Sequence, residues 1–176
     1  MVITLNMSTG LAPIVHLGTT GTYLSAAGDI YRVLLTGAQT GGRFLLAEVL
    51  VKPGGGPPLH RHRHEDETFY VLEGELTVEL GERRFVAGCN STVFAPRDVP
   101  HRFTNATGKR VRVLVLAAPA GVEAFFAEFS EPLADREADP RPLGPADVAH
   151  LLAVAPKFGI EILAPTGTGV QGLRTV

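Results

Sequence analysis

The sequence predicts an all-β domain of the sandwich or barrel class, and three observations predict it. The 176 residues include 20 Gly and 13 Pro, too many for a helical bundle. Apolar and polar residues alternate over runs of about six, the period of a half-buried strand. Turn-forming residues interrupt these runs roughly every ten residues. With 45% apolar and 19% charged residues, the chain is too apolar to be disordered, and its length fits one compact domain.

The elements follow in order. Residues 1–28 form an N-terminal arm, in which Ile14, Val15 and Leu17 suggest an edge strand. Strands are expected near 30–36, 43–51, 59–64, 68–73, 75–80, 83–87, 92–96, 101–105 and 110–117, so the sandwich or barrel occupies 29–118. The run Glu75-Leu76-Thr77-Val78-Glu79-Leu80 turns Leu76, Val78 and Leu80 inward, and Val111, Val113 and Val115 repeat the pattern. The texture then changes into a C-terminal extension, 119–176. A helix is expected over 121–129, with Phe125, Phe126 and Phe129 on one face. Residues 131–144 read as an irregular, charged and Pro-rich linker. Pro145, at a first helical position, opens a second helix to about 155, and Gly159 ends it.

Composition excludes several functions. The net charge is -2, and the 13 Arg among the 16 basic residues are scattered, so no nucleic-acid surface emerges. The longest apolar run, near 113–122, is broken by Pro119 and falls short of the ~20 residues that span a bilayer. No Lys or Arg precedes Arg32, so a basic secretory leader is not expected. Cys89 is the only cysteine, which excludes an internal disulfide and a thiolate metal cage and suits a reducing cytoplasm. Cys89 lacks the partners of a nucleophile, and the glycines at 54–56 lead into a strand, so they form no phosphate loop.

Four of the six histidines fall in two short windows. In GGGPPLHRHRHEDETFYVLEGE (54–75), His60 and His62 share one face of a strand while Arg61 and Arg63 point away. Two neighbouring imidazoles can grip one metal ion, and Glu67 can add a carboxylate oxygen. In GCNSTVFAPRDVPHRFTN (88–105), His101 offers a third imidazole from a separate strand. Three nitrogens and one oxygen suit one divalent Fe, Mn, Ni, Cu or Zn, with positions left for water or substrate.

These windows resemble the two cupin motifs. Gly54, His60, His62, Glu67 and Gly74 match the first, and Pro96, His101 and Asn105 match the second. Asn90 and Asp98 replace two motif glycines, both residue types that tolerate left-handed turns. The resemblance implies a cupin double-stranded β-helix, a jelly-roll barrel, with one or two C-terminal helices. Within cupins, TGAQTGGRFLLAEVLVKPGGGPPLH and DETFYVLEGELTV look like single-domain proteins similar to quercetin dioxygenases. That likeness implies dioxygen chemistry on a small aromatic or enolic substrate, with Glu67 as metal ligand and base. It also implies a homodimer, for which the arm and the Phe-rich helix offer apolar surface.

Other readings stand beside these. His62 and His64 also form a His-X-His pair, but the spacing to Glu67 favours His60 and His62 and leaves His64 at the rim of the site. Phe69, Phe94 and Phe103 are core residues first and walls of a substrate cavity second. Glu67 could pair with Arg61 or Arg102, and Glu65 and Asp66 read as solvated turn residues. Tyr70 and Asn105 are expected to hydrogen-bond inside the barrel, and His16 and His150 to lie on the surface. A non-catalytic sensor or storage cupin, or a metal-dependent isomerase or epimerase, would use the same ligands. The isomerase would want more inward-facing basic groups than the three lysines supply.

Overall fold

The structure is a computed structural model, which describes residues 10–164. Among the described residues, twelve strands form two antiparallel sheets. In chain order they are β1 (Thr22–Ala26), β2 (Asp29–Leu35), β3 (Leu45–Val51), β4 (His60–His62), β5 (Asp66–Glu73), β6 (Glu75–Leu80), β7 (Arg83–Gly88), β8 (Thr92–Ala95), β9 (His101–Thr104), β10 (Val111–Ala118), β11 (Glu131–Leu133) and β12 (Ile160–Ile162). The helices are α1 (Gly37–Thr40), α2 (Glu123–Phe129) and α3 (Pro145–Val154), the last followed by a 3-10 turn, Ala155–Phe158. The larger sheet runs β11-β1-β2-β3-β10-β5-β8 and the smaller β12-β4-β9-β6-β7. This is the double-stranded β-helix with C-terminal helices. No described helix is long and apolar enough to cross a membrane.

Alternation sets the inner faces. Val49 and Val51 of β3, Phe69 and Val71 of β5, Leu76 and Val78 of β6, and Val111, Val113 and Val115 of β10 meet between the sheets. Burying one such side chain contributes roughly 1.5–3 kcal/mol. A second cluster joins Phe125 of α2 and Leu151 and Val154 of α3 to Leu45, Ala117 and Ile160, so both helices sit over one end of the barrel.

Asn90 and Asp98 both adopt φ 67, the left-handed conformation that their side chains tolerate in place of glycine. At Gly56, φ is 125 and a Cβ would collide with the Phe103 carbonyl, so only glycine lets this loop lie against β9. Asp29 pins the same loop by accepting from the backbone N–H groups of Lys52 (2.9 Å) and Gly56 (2.7 Å). The loop delivers the chain to β4, and thus to His60.

Several expectations need correction. Ile14, Val15 and Leu17 form no strand and are exposed; the edge beside β1 is made from the C-terminal side, by β11. The stretch 131–144 is not wholly irregular, because Glu131–Leu133 pairs with β1 as β11. The C-terminal side also supplies β12, which pairs with β4. Pro145 opens α3, with the Asp147 carboxylate accepting from the Gly144 N–H (2.7 Å), and Gly159 terminates the 3-10 turn at φ 72. Asn105 hydrogen-bonds Val51 and Lys109 as a buried brace. Tyr70 does not point inward; its hydroxyl meets Asn90 on the exposed side.

Candidate metal centre

The two sheets bring His60, His62, Glu67 and His101 together, the histidines from the short strands β4 and β9 and the glutamate from the long β5. On β4, His60 and His62 face inward, while Arg61 pairs outward with Glu161 of β12 at 3.0 and 3.1 Å. His101, first residue of β9, stands opposite His60 in the smaller sheet. Glu67 comes from the facing sheet, flanked by Ala95 on β8 and Ala117 on β10, whose small side chains leave it room. Its neighbour Asp66 turns out to the Arg97 guanidinium and backbone N–H.

One candidate ligand atom from each of the four residues lies within 4.8 Å of all the others. Oε2 of Glu67 is 2.9, 3.5 and 4.0 Å from Nε2 of His101, His62 and His60. Two donors about 2.1 Å from one ion lie about 3.0 Å apart at right angles and about 4.2 Å apart when opposed. All three spacings suit a shared ion.

The proton positions point the same way. Nδ1 of His60 donates to the Pro58 carbonyl and Nδ1 of His101 to the Val99 carbonyl, both at 2.9 Å. In a neutral ring with its proton there, Nε2 carries a lone pair. Nε2 of His101 and Oε2 of Glu67 are then two acceptors at hydrogen-bond distance, which requires a cation, proton or metal, between them. The residues fit a divalent transition metal, as the donor set of three nitrogens and one oxygen suggests.

Burial and mutual charge compete within the cluster. Burial, then the charges of His101 and His62, push His60 down to about 3. Burial would lower His62 too, but Glu67 and Glu65 override it and raise that ring above its ordinary value. Burial would raise Glu67, yet the pull of His62, His101 and His60 holds its carboxyl at about 2. All four residues are buried, so water does little to relieve these interactions.

A cavity opens onto this cluster, lined by His60, His62 and Glu67 and by Phe69 and Phe103 of the barrel. Phe125, Phe126 and Phe129 of α2 close it from the helical side. Phe94 is not part of it: its side of β8 faces outward, and it is 55% exposed. His64 is also outside, packed against Gly159 where the chain enters β12. The alternative pairing of Glu67 fails, because Arg61 pairs with Glu161 and Arg102 with Glu79. Glu65 is no solvated turn residue; it is buried behind His62. Tyr31 on β2 also lines the cavity, with its ring 5.1 Å from that of Phe126. Its sequence position, far from both histidine windows, carried no signal beyond an inward strand phase. Burial, reinforced by the charges of Asp29 and Glu67, raises the Tyr31 hydroxyl well above its usual value, so it stays a proton donor.

A family model described as a cupin domain matches residues 47–117. An uncharacterized protein of Methanocaldococcus jannaschii is 30% identical over 98 residues, which are 55% of this chain and 78% of that protein. Quercetin 2,3-dioxygenase of Bacillus subtilis is 26% identical over 125 residues, 70% of this chain but only 36% of the dioxygenase. Among solved structures, a Thermotoga maritima protein described as a predicted oxalate decarboxylase superposes with a TM-score of 0.50 at 21% identity, covering 52% of this chain and 80% of that one. That likeness speaks for the fold alone, since activities vary widely on one scaffold. Motifs, sheet order and matched model agree, and the chain belongs to the cupin family.

Proposed function

We propose that this chain is a metal-dependent dioxygenase acting on a small aromatic or enolic substrate of flavonol type. The cavity carries the reading. It opens on His60, His62 and Glu67, and its remaining walls are apolar or aromatic apart from the Tyr31 hydroxyl. No Lys or Arg lines it among the described residues. A small dianion or sugar phosphate would enter without a fixed cation to balance it, whereas a flat apolar molecule with one acidic hydroxyl suits the walls. The same absence counts against the isomerase and epimerase reading. Similarity to the Bacillus dioxygenase points towards the proposed class.

His60, His62, His101 and Glu67 would hold one Fe, Mn, Ni, Cu or Zn ion per chain. Such an ion supplies Lewis acidity at a substrate hydroxyl and, when redox-active, a route for electrons to dioxygen. Glu67, kept ionised by the surrounding imidazoles, accepts the hydroxyl proton on a carboxylate oxygen. Tyr31 donates to a second substrate oxygen, and the Phe wall of α2 excludes water.

Metal-loaded protein incubated with flavonols and related enediols, with and without air, tests this. Oxygen uptake with ring-opened product is expected, and no uptake across the panel overturns it. Tight retention of one ligand without turnover would identify the non-catalytic binding cupin instead. The reading includes a cytoplasmic homodimer. Val15 and Leu17, exposed at 77% and 74%, offer the apolar surface for a second copy, whereas the α2 phenylalanines face the cavity. Light scattering tests the dimer.

A further inference from the structure

Behind the cluster lies a carboxylate for which the proposed reaction has no use. Glu65 occupies the bend between β4 and β5 and is only 3% exposed. Its Oε2 lies 3.3 Å from Nδ1 of His62, a charge contact outside hydrogen-bonding geometry. Neither atom has a hydrogen-bond partner among the described residues. A buried carboxylate oxygen without a hydrogen bond is costly, so its position needs a reason.

The other two histidines supply it. His60 and His101 each open a strand, and each Nδ1 donates to the carbonyl two residues back, in the loop just before that strand. His62 lies two residues into β4, where the equivalent carbonyl is that of His60. In an extended strand this carbonyl lies in the plane of the sheet, perpendicular to the side chain, and cannot meet the ring. The His62 Nδ1 therefore lacks the backbone acceptor that its two counterparts have, and the Glu65 carboxylate stands in that place. Position 121 leaves the space for it: a Cβ on Gly121 would come 2.8 Å from Oε1 of Glu65.

We infer that Glu65 is the positioning residue for His62, its carboxylate holding the imidazole proton on Nδ1 so that the Nε2 lone pair faces Glu67 and His101. The inference rests on the metal reading given above. A carboxylate in this role orients the ring and also raises its basicity as a ligand, which a carbonyl does less strongly. One of the three imidazoles is thus set by a side chain, and a point substitution can reset it.

The test uses Glu65→Leu and Glu65→Gln with zinc as a diamagnetic probe, titrated against a chromophoric chelator. Imidazole nitrogen NMR is recorded with and without zinc. Glu65→Leu should bind zinc about 10–100-fold more weakly and lose the single Nδ1–H form of His62, while His60 and His101 keep theirs. Glu65→Gln, which keeps an acceptor oxygen of the same reach facing Nδ1–H, should recover most of the affinity and the tautomer. Its preserved size separates loss of the acceptor from loss of the fold. Wild-type affinity in Glu65→Leu, or an unchanged His62 tautomer in both variants, overturns the inference. If the wild type takes up no zinc, the metal reading falls, and the His62 tautomer in the metal-free proteins still decides the role of Glu65.

Discussion

Two glutamates of the larger sheet, Glu48 on β3 and Glu67 on β5, are both buried and both ringed by nitrogen bases, yet they do opposite work. Glu48, on the outer face, accepts from Arg112 Nε at 2.7 Å and Arg32 Nη1 at 2.9 Å. Arg32 also donates to the carbonyls of Gly18 and Thr20, so the pair clasps the N-terminal arm to the sheet. Against the upward push of burial, the two guanidinium groups hold the Glu48 carboxyl below its ordinary value. Guanidinium is always charged and has no lone pair to offer, so this cluster is complete as it stands. Glu67, on the inner face, meets three imidazoles instead. Their charge is conditional and their Nε2 atoms can bind a metal. The difference teaches that a buried carboxylate is structural or functional according to whether its partners are fixed cations or conditional ones.

The strongest way to break this contrast is to remove one conditional partner. His101→Ala should abolish metal retention, with affinity falling more than about 100-fold, because it removes a ligand and not merely a group behind one. Elemental analysis of the purified variant beside wild type measures this. Unchanged stoichiometry would take His101 out of the site and leave the inner cluster no different in kind from the outer one.

Removing the outer carboxylate should have the reverse signature. Glu48→Ala leaves the mostly buried Arg32 without its countercharge and should destabilise the fold by about 3–5 kcal/mol, with metal content unchanged. Glu67→Gln should lose metal while costing less stability than Glu48→Ala. Denaturant unfolding in the presence of chelator, paired with metal analysis, separates the two. A Glu48 variant that unfolds like wild type would show that the clasp contributes nothing measurable.

A third buried acid sharpens the comparison, since it has no cation in hydrogen-bond contact. Asp29 is held by the Lys52 and Gly56 N–H groups alone, and burial outweighs them to raise its carboxyl from 3.8 to about 6. Between those values the folded state binds the proton and the unfolded chain does not. Stability should therefore fall as pH rises from about 4 to 7, by about 2 kcal/mol from this group. Unfolding free energies at pH 4, 5, 6 and 7 for wild type and Asp29→Asn read the difference in slope. The Asn amide facing one N–H adds a cost that does not vary with pH. Parallel curves would mean that Asp29 titrates as it does in the unfolded chain.

How far the sequence disclosed all this depended on whether a feature was local. His60, His62, Glu67 and His101 were legible because strand alternation and motif spacing are short-range properties, and the turn at Asp98 followed from residue type. Glu65 was misjudged because HEDE reads as a charged turn; its burial comes from Gly121, 56 residues on, where the chain returns over the bend. Tyr31 and β12 were missed for the same reason. Each joins the site only through long-range packing, β12 through its pairing with β4 and Tyr31 through Phe126. Short edge strands such as β11 bury little and leave no periodic signature to read.

Phe94 gives the smallest expected effect and the cleanest check on strand phase. Phe94, Thr68 and Leu116 stand side by side across β8, β5 and β10, one residue out of phase with Phe69 and Val115, which face the core. A shift of one position in phase moves a side chain to the opposite face of a sheet, and the short β8 run TVFA offers too few residues to fix the phase from sequence. Phe94→Ser should accordingly change stability by no more than about 0.5 kcal/mol and leave metal content and substrate turnover as in wild type. Thermal unfolding and oxygen uptake on the same preparation measure both. A loss of turnover would place the ring against substrate, and a large loss of stability would mean that the outer face at β8 is covered, by the arm or by a second copy of the chain.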